Sequence, residues 1–371
     1  MKKQIVSTIV LAGMIMTSNA FASRARENVM GTGDAGYFLN GGSFYYDSMY
    51  NSFYNPAYIN DFKNWAIIEK GAGVSGAQNH AEGGFAASMM NFNVGVFFNR
   101  TDAFALPAVA GTANGLGSSS AGLRPIDVIF GGDMGVKWGL GITHASRDGA
   151  GANISKDSDL TVRAGVSVSD FDPYINWRIM GKRETNTAGV TAENKTKDMQ
   201  VGLKYHYGEW TPYAAYRMAE VEVTGATDKP EFTAWTVGVG RNTKLGEGAR
   251  LVYSVSYVSA KTDKVAAGNL KEAVLPINVA LEGDLASWFT VRGGLEYRLM
   301  DRIGGEGLAA DTAGSRLDTT TARIGASFHA NKFDIDWAFG QQSANAAGAL
   351  DGQSFGFDSG TFSNISLSYK W

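Results

Sequence analysis

From about residue 64 onward, apolar and polar positions alternate along the chain with a period of two. In "DLTVRAGVSVSD", Leu160, Val162, Ala164, Val166 and Val168 form one row, against Asp159, Thr161, Arg163, Gly165 and Ser167. "DMQVGLKYHY", "SWFTVRGGLEYRLM" and "FDIDWAF" repeat the pattern. Successive side chains of a strand point to opposite faces, so each stretch predicts a strand with one apolar and one polar face. A soluble β-sandwich alternates too. Many stretches here, however, reach the length that crosses a bilayer at a tilt, and Tyr and Trp gather near their ends.

The connections sharpen this. Short links are predicted near Met90–Phe92, Asp133–Gly135, Asp170–Asp172, Gly208–Trp210, Asn242–Gly248, Gly283–Ser287 and Ala330–Asn331. Longer ones are predicted at 71–82, 101–124, 148–158, 183–197, 224–230, 261–270, 301–317 and 342–358, and the two kinds interleave throughout. Outer-membrane barrels have short periplasmic turns and long outer loops. The predicted fold is therefore all-β: a transmembrane antiparallel up-and-down β-barrel of about sixteen strands, both ends periplasmic. The first strand, Asn64–Lys70, has the weakest pattern. Without it and one weak neighbour the number falls to about fourteen.

In lipid every backbone N–H and C=O must be paired, so only helices and closed barrels span, and the apolar row must face outward. The inward row then holds Lys137, Arg163, Arg178, Lys204, Arg217, Arg250, Arg292, Arg298 and Arg323, with Glu272, Glu282, Glu296, Asp334 and Asp336. Such groups are costly unless hydrated or paired. A barrel of about sixteen strands is too wide for side chains alone to fill. A water-filled channel for passive diffusion of small hydrophilic solutes and ions is the expectation; the competing one is a packed ion-pair network that closes the lumen. The Arg and Lys excess in this set predicts a mild anion preference. The Ala-, Gly- and Ser-rich stretch 101–124 reads either as a surface loop or as a constriction folded into the lumen.

The first residues bear on the compartment. Lys2 and Lys3, the apolar "IVLAGMIM" and Ala20-Phe21-Ala22 together match a secretory signal peptide at 1–22. Its apolar run falls short of a spanning helix. The chain has no Cys, which excludes disulfides, thiol chemistry and a lipid-anchored Cys. It carries 33 Lys and Arg and 36 Asp and Glu; without Lys2 and Lys3 the net charge is −5, with no footprint for nucleic acid. The predicted division is signal peptide 1–22, an N-terminal periplasmic or plug segment 23–63, and barrel 64–371. The expected location is the bacterial outer membrane of a Gram-negative cell. Expected partners are outer-membrane lipids and lipopolysaccharide, the barrel-assembly machinery and small solutes, with a homotrimer as one option. No cofactor or metal motif is present: His80, His206 and His329 lack ligand spacing.

Residues 23–63 do not alternate and are dense in aromatics, Gly and Asn, which predicts a compact segment inside or beneath the barrel. Met30-Gly31, Asp47 and Tyr54-Asn55-Pro56-Ala57 resemble the N-terminal hatch of the outer-membrane long-chain fatty-acid transporters. That resemblance implies a plugged barrel passing hydrophobic molecules. It departs at Tyr58, where that family has Gly, and in the crowding of Phe44, Tyr45, Tyr46 and Tyr50. The barrel pattern and the ending "SNISLSYKW" resemble bacterial outer-membrane porins. Ile365, Leu367, Tyr369 and Trp371 form one row there, similar to the signal read by the assembly machinery. A third alternative is an abundant structural protein whose surface loops contact other cells or phage; an enzyme is not expected. His144 and Ser146, with Asn153 following, have a spacing similar to outer-membrane phospholipases, but Arg147-Asp148-Gly149 stands where that family has Asn-Gly.

Overall fold

The computed structural model describes residues 23–31, 38–39, 42–70, 81–100, 124–148, 153–187, 190–224, 229–263, 269–305, 314–315, 320–342 and 361–371. The predicted signal peptide and nearly all of the stretch 101–124 lie outside them.

Sixteen long strands occupy the described residues: β1 (Trp65–Lys70), β2 (Ala81–Met89), β3 (Phe92–Phe98), β4 (Ile126–Asp133), β5 (Lys137–Asp148), β6 (Asn153–Ser167), β7 (Phe171–Thr187) and β8 (Val190–Tyr205) form one half. β9 (Trp210–Val223), β10 (Glu231–Gly246), β11 (Ala249–Asp263), β12 (Leu270–Ala286), β13 (Phe289–Gly305), β14 (Thr320–Ala330), β15 (Phe333–Gln342) and β16 (Thr361–Lys370) form the other. A two-residue pair, Gly314–Ser315, adds to the far end of β13. Each strand pairs antiparallel with its sequence neighbours. β1 joins β16, Trp65 opposite Lys370 and Ile68 opposite Leu367, and so closes the barrel.

The faces sort as the alternation predicts. Exposed positions on β4 and β5 are Ile126, Val128, Phe130, Leu140 and Ile142; buried ones include Asp127 and Thr143. This is a sheet with water-loving groups inside and apolar groups outside, the reverse of a soluble protein. Aromatics gather at the short-turn end: Phe92, Phe130 and Trp138 touch one another, as do Trp288, Phe289 and Phe328.

Three expectations change. The strands run further than the pattern indicated: β10 continues to Gly246 and β12 to Ala286, which shrinks the links at 242–248 and 283–287 to two residues each. β7 and β8 likewise pair out to Thr187 and Val190, through the predicted loop 183–197. These tails lack a clean period because they rise past the apolar belt, where outward positions are charged. Cross-strand contacts such as Lys182–Glu193 (2.8 Å) take over there. Finally, register shifts in β7 near Ile179 and in β13 near Leu299 break the parity. A bulge inserts one residue and re-aims all that follow, so Asp301 points inward although Arg298 does as well.

Candidate functional site in the barrel lumen

The described residues of 23–62 lie in the lumen. α1 (Arg24–Met30) starts at Ser23, whose side chain accepts from the Arg26 N–H. Two 3₁₀ turns follow, Met49–Phe53 capped by Ser48 and Pro56–Asn60 capped by Asn55. Both caps accept N–H groups that a turn leaves unpaired, and Pro56 fits a first position where no N–H is needed. α1 packs on β12 to β16, and the second turn on β3 to β6. Nearly every described residue from Ser23 to Asn60 is buried.

Glycines on the inward row cut the seat. A Cβ at Gly139 would overlap the Pro56 backbone, one at Gly165 the Asn55 amide, one at Gly240 the Tyr45 side chain, and one at Gly294 the Val29 carbonyl. The segment therefore lies against the wall at backbone distance. Aromatic contacts complete the fit: Phe44 stacks on Tyr213 at 4.8 Å, Tyr54 meets Tyr174 edge-on at 5.0 Å, and Phe53 meets Phe97 at 4.8 Å.

Charge fixes its orientation. The Arg24 N–H donates to Glu69 Oε1 (2.7 Å), and its guanidinium donates to Glu82 Oε2 (2.6 Å). Arg26 binds Glu282 with two bonds, 2.8 and 3.1 Å. Such a forked pair is directional as well as strong. Tyr58 donates to Asp172, which also contacts His206 Nε2 at 2.6 Å. At the short-turn rim Lys137 meets Asp61 at 2.5 Å. Arg100, just past β3, is buried over the Phe53 and Tyr50 rings, and burial pushes its pKa down to about 10. Burial raises the Glu27 carboxyl above its ordinary value, against opposing hydrogen bonds from Ser48 and Tyr46 and the charge of Arg26.

The fourteen residues named above as lumen-lining sit on the inward row, and most of them are held in ion pairs. Arg163 reaches Asp127 (2.9 Å), Arg178 reaches Asp159 (2.7 Å), and Arg217 reaches Asp198 (2.6 Å). Arg292 bridges Glu282 and Asp336. Glu296 holds Arg323 (2.7 Å) and Arg298 (3.4 Å), and Asp334 holds Lys370 (2.6 Å). Lys204 is buried over the Tyr58 ring at 4.4 Å, and Arg250 is half-buried. Glu69, Glu82, Asp127, Asp157, Asp159, Asp172, Asp198 and Asp301 are also inward and buried. With these eight carboxylates in the set, the Arg and Lys excess behind the expected anion preference disappears.

Parity alone also missed an apolar strip. Ala219 and Val221 on β9, Phe232 and Ala234 on β10, Val258 and Ala260 on β11, and Leu270 on β12 are buried in one cluster with Phe38, Leu39 and Phe44. Its signal in the sequence is a strand apolar in both rows, as in "LVYSVSYVSA".

A family model described as "Outer membrane protein beta-barrel domain" matches residues 116–282. Together with a closed barrel, apolar outside and charged inside, this decides the class. The protein is an outer-membrane β-barrel. No curated protein matches the sequence. Among solved structures it is similar to the CymD monoaromatic hydrocarbon channel (9% identity, TM-score 0.41, covering 93% of this chain and 98% of that one). It is similar also to the FrpB iron transporter of Neisseria meningitidis (12% identity, TM-score 0.48), of which it spans 55% while 76% of this chain is covered. BamA of Haemophilus ducreyi is a third (9% identity, TM-score 0.47, 83% of this chain and 70% of that). These likenesses accompany the barrel fold and carry no argument about cargo.

On the barrel's outer face His144 and Ser146 are exposed, and His144 Nδ1 lies 3.1 Å from the Asp159 carbonyl. The Asn153 side chain lies outside the described residues. Among the described residues no His, Asp and Glu group is arranged to hold a metal. Ile365, Leu367 and Trp371 are exposed to the lipid side, and Tyr369 lies between Phe333 (4.8 Å) and Trp371 (6.2 Å).

Proposed function

We propose that this outer-membrane barrel is a plugged transport channel, in which residues 23–62 act as a hatch that solutes pass by local displacement. The observation that carries this reading is the keyed seat: backbone against inward glycines, with Arg24 and Arg26 locked to Glu69, Glu82 and Glu282. A wide barrel without such a filling would be an open pore. The apolar strip on β9 to β12, continuous with Phe38, Leu39 and Phe44, favours a hydrophobic or amphipathic cargo over a strongly polar one. This agrees with the hatch resemblance of the Tyr54–Ala57 run.

Passive diffusion of small hydrophilic solutes is the second reading, favoured by the charged inward rows. The two separate in planar bilayers and liposomes. The hatch reading expects low conductance from the whole protein, with faster entry of a hydrophobic tracer into cells that produce it. Large steady conductance steps from the unaltered protein, with free entry of small sugars into liposomes, would overturn it in favour of diffusion.

A further inference from the structure

At the short-turn end, two neighbouring turns carry methionine where turn chemistry favours polar residues. Met90 is 95% exposed at the tip between β2 and β3, and Met134 is 80% exposed between β4 and β5. Met90 also holds a left-handed backbone (φ 56°). The corresponding position between β14 and β15 is Asn331 (φ 57°), the residue type that tolerates this conformation. A side chain unsuited to its backbone, and almost wholly exposed, calls for a surrounding that favours it. That surrounding is continuous with the lipid belt: Met89 and Phe92 flank the first tip, and the Phe92–Phe130–Trp138 cluster joins both. Across the barrel, the tip between β10 and β11 sets Lys244 and Glu247 around Leu245, all exposed. The β4–β5 turn carries one exposed charge beside Met134, Asp133, whose carboxylate accepts from the Gly135 N–H, whereas the β10–β11 tip carries two of opposite sign; thioether tips continuous with an apolar belt favour acyl chains.

We infer that the barrel sits obliquely in the membrane, with the β2–β3 and β4–β5 turns sunk into the periplasmic leaflet and the β10–β11 and β14–β15 turns in the periplasm. The partner of the methionine-tipped arc is the lipid layer itself. This inference is independent of what the lumen passes.

The chain has no native Cys, so single reporters are clean. Met90→Cys, Met134→Cys, Glu247→Cys and Asn331→Cys are each purified, checked for the heat-modifiable barrel and placed in phospholipid nanodiscs, where both faces meet buffer. Positions 90 and 134 should react several-fold more slowly with a membrane-impermeant maleimide than 247 and 331. A bimane label there should be quenched by doxyl lipids, and labels at 247 and 331 should not. Equal reactivity at all four sites would overturn the inference. So would protection at 90 and 134 found only in native membranes, which would assign the arc to a protein. Should a variant fail to fold, hydrogen exchange of the unaltered protein makes the same comparison: turn amides at 90–91 and 134–135 should exchange more slowly than those at 247–248 and 331–332.

Discussion

At the scale of single residues, the lumen rests on positions with no room and on charges buried among protein groups. Gly139 is the clearest case of the first. Gly139→Val places two methyls where the Pro56 backbone lies, and overpacking of this kind costs about 1–3 kcal/mol. The strands still pair, so the expected result is an intact heat-modifiable barrel whose lumenal segment is cut by protease roughly tenfold faster. Unchanged cleavage would show that the wall yields instead. Arg26 illustrates the second. Removing one partner of a buried pair costs about 3–5 kcal/mol, less here because Arg292 still serves Glu282. Arg26→Met should lower the urea midpoint, and adding Glu282→Gln should recover part of the loss, a coupling that a double-mutant cycle reads directly. Glu27 gives a pH signature. Its carboxyl is raised in the folded protein, so its stabilising contribution is full below the ordinary carboxylate pKa. That contribution is lost as pH rises through the folded value. Stability of the seat should therefore decline above about pH 4.5, and Glu27→Gln should flatten the decline and stabilise the seat at neutral pH, as measured by urea unfolding across pH.

Elements were the most legible level, because each strand separates two opposite solvents. A lipid face admits no charge and a buried lumen face carries many, so Leu160–Val168 and Phe333–Phe339 declare their parity without any other information. Legibility ends where that contrast ends. On the tails of β7 and β8 the outward positions meet water, and the bulges near Ile179 and Leu299 reset the count without a mark in the sequence. Inward glycines were silent for a related reason: in a hydropathy pattern Gly139 or Gly294 is neutral, although in the fold each marks a backbone approach. The closing strand β16 offers a test at this level. Its outward row of Ile365, Leu367, Tyr369 and Trp371 is proposed as the signal for the assembly machinery. Deletion of Trp371 should reduce the folded barrel in the outer membrane of cells while leaving refolding of the purified chain into detergent nearly intact. A normal amount of heat-modifiable barrel in cells would refute the signal; failure in both settings would assign Trp371 to the seam with β1, where its N–H donates to the Asn64 carbonyl.

For the whole molecule, the width of a sixteen-strand barrel poses a problem that side chains cannot solve, and this chain solves it with its own N-terminal segment. The division of charge between the two is uneven. Along β4 to β9 the wall pairs with itself, Asp127 with Arg163 and Asp198 with Arg217. On β1 and β2 the wall leans on the segment: Glu82 pairs with the Arg24 guanidinium and Glu69 accepts from the Arg24 N–H and the Ser366 hydroxyl, while Glu282 on β12 is shared between Arg26 and Arg292 of the wall. Lifting the segment away removes the Arg24 and Arg26 guanidinium groups together with the carboxylates of Glu27, Asp47 and Asp61, and leaves Glu69 and Glu82 facing water while Glu282 keeps Arg292. The opened pore is lined by the wall's own charges, in which the thirteen inward carboxylates named above outnumber the nine inward Lys and Arg, and rings of carboxylates favour cations. The sequence alone pointed to the opposite preference, because the inward set named from it holds nine cations and five acids and omits Asp159 and Asp198, which lie mid-strand and pair with Arg178 and Arg217. A Gly139→Val, Gly294→Val double variant, chosen to unseat the segment without altering any charge, should show larger conductance than the unaltered protein. Its reversal potential in a salt gradient should shift toward the cation side. An anion-selective opened pore would mean that Arg24 and Arg26 remain in the lumen, and that the segment moves as a tethered lid whose α1 never leaves the wall.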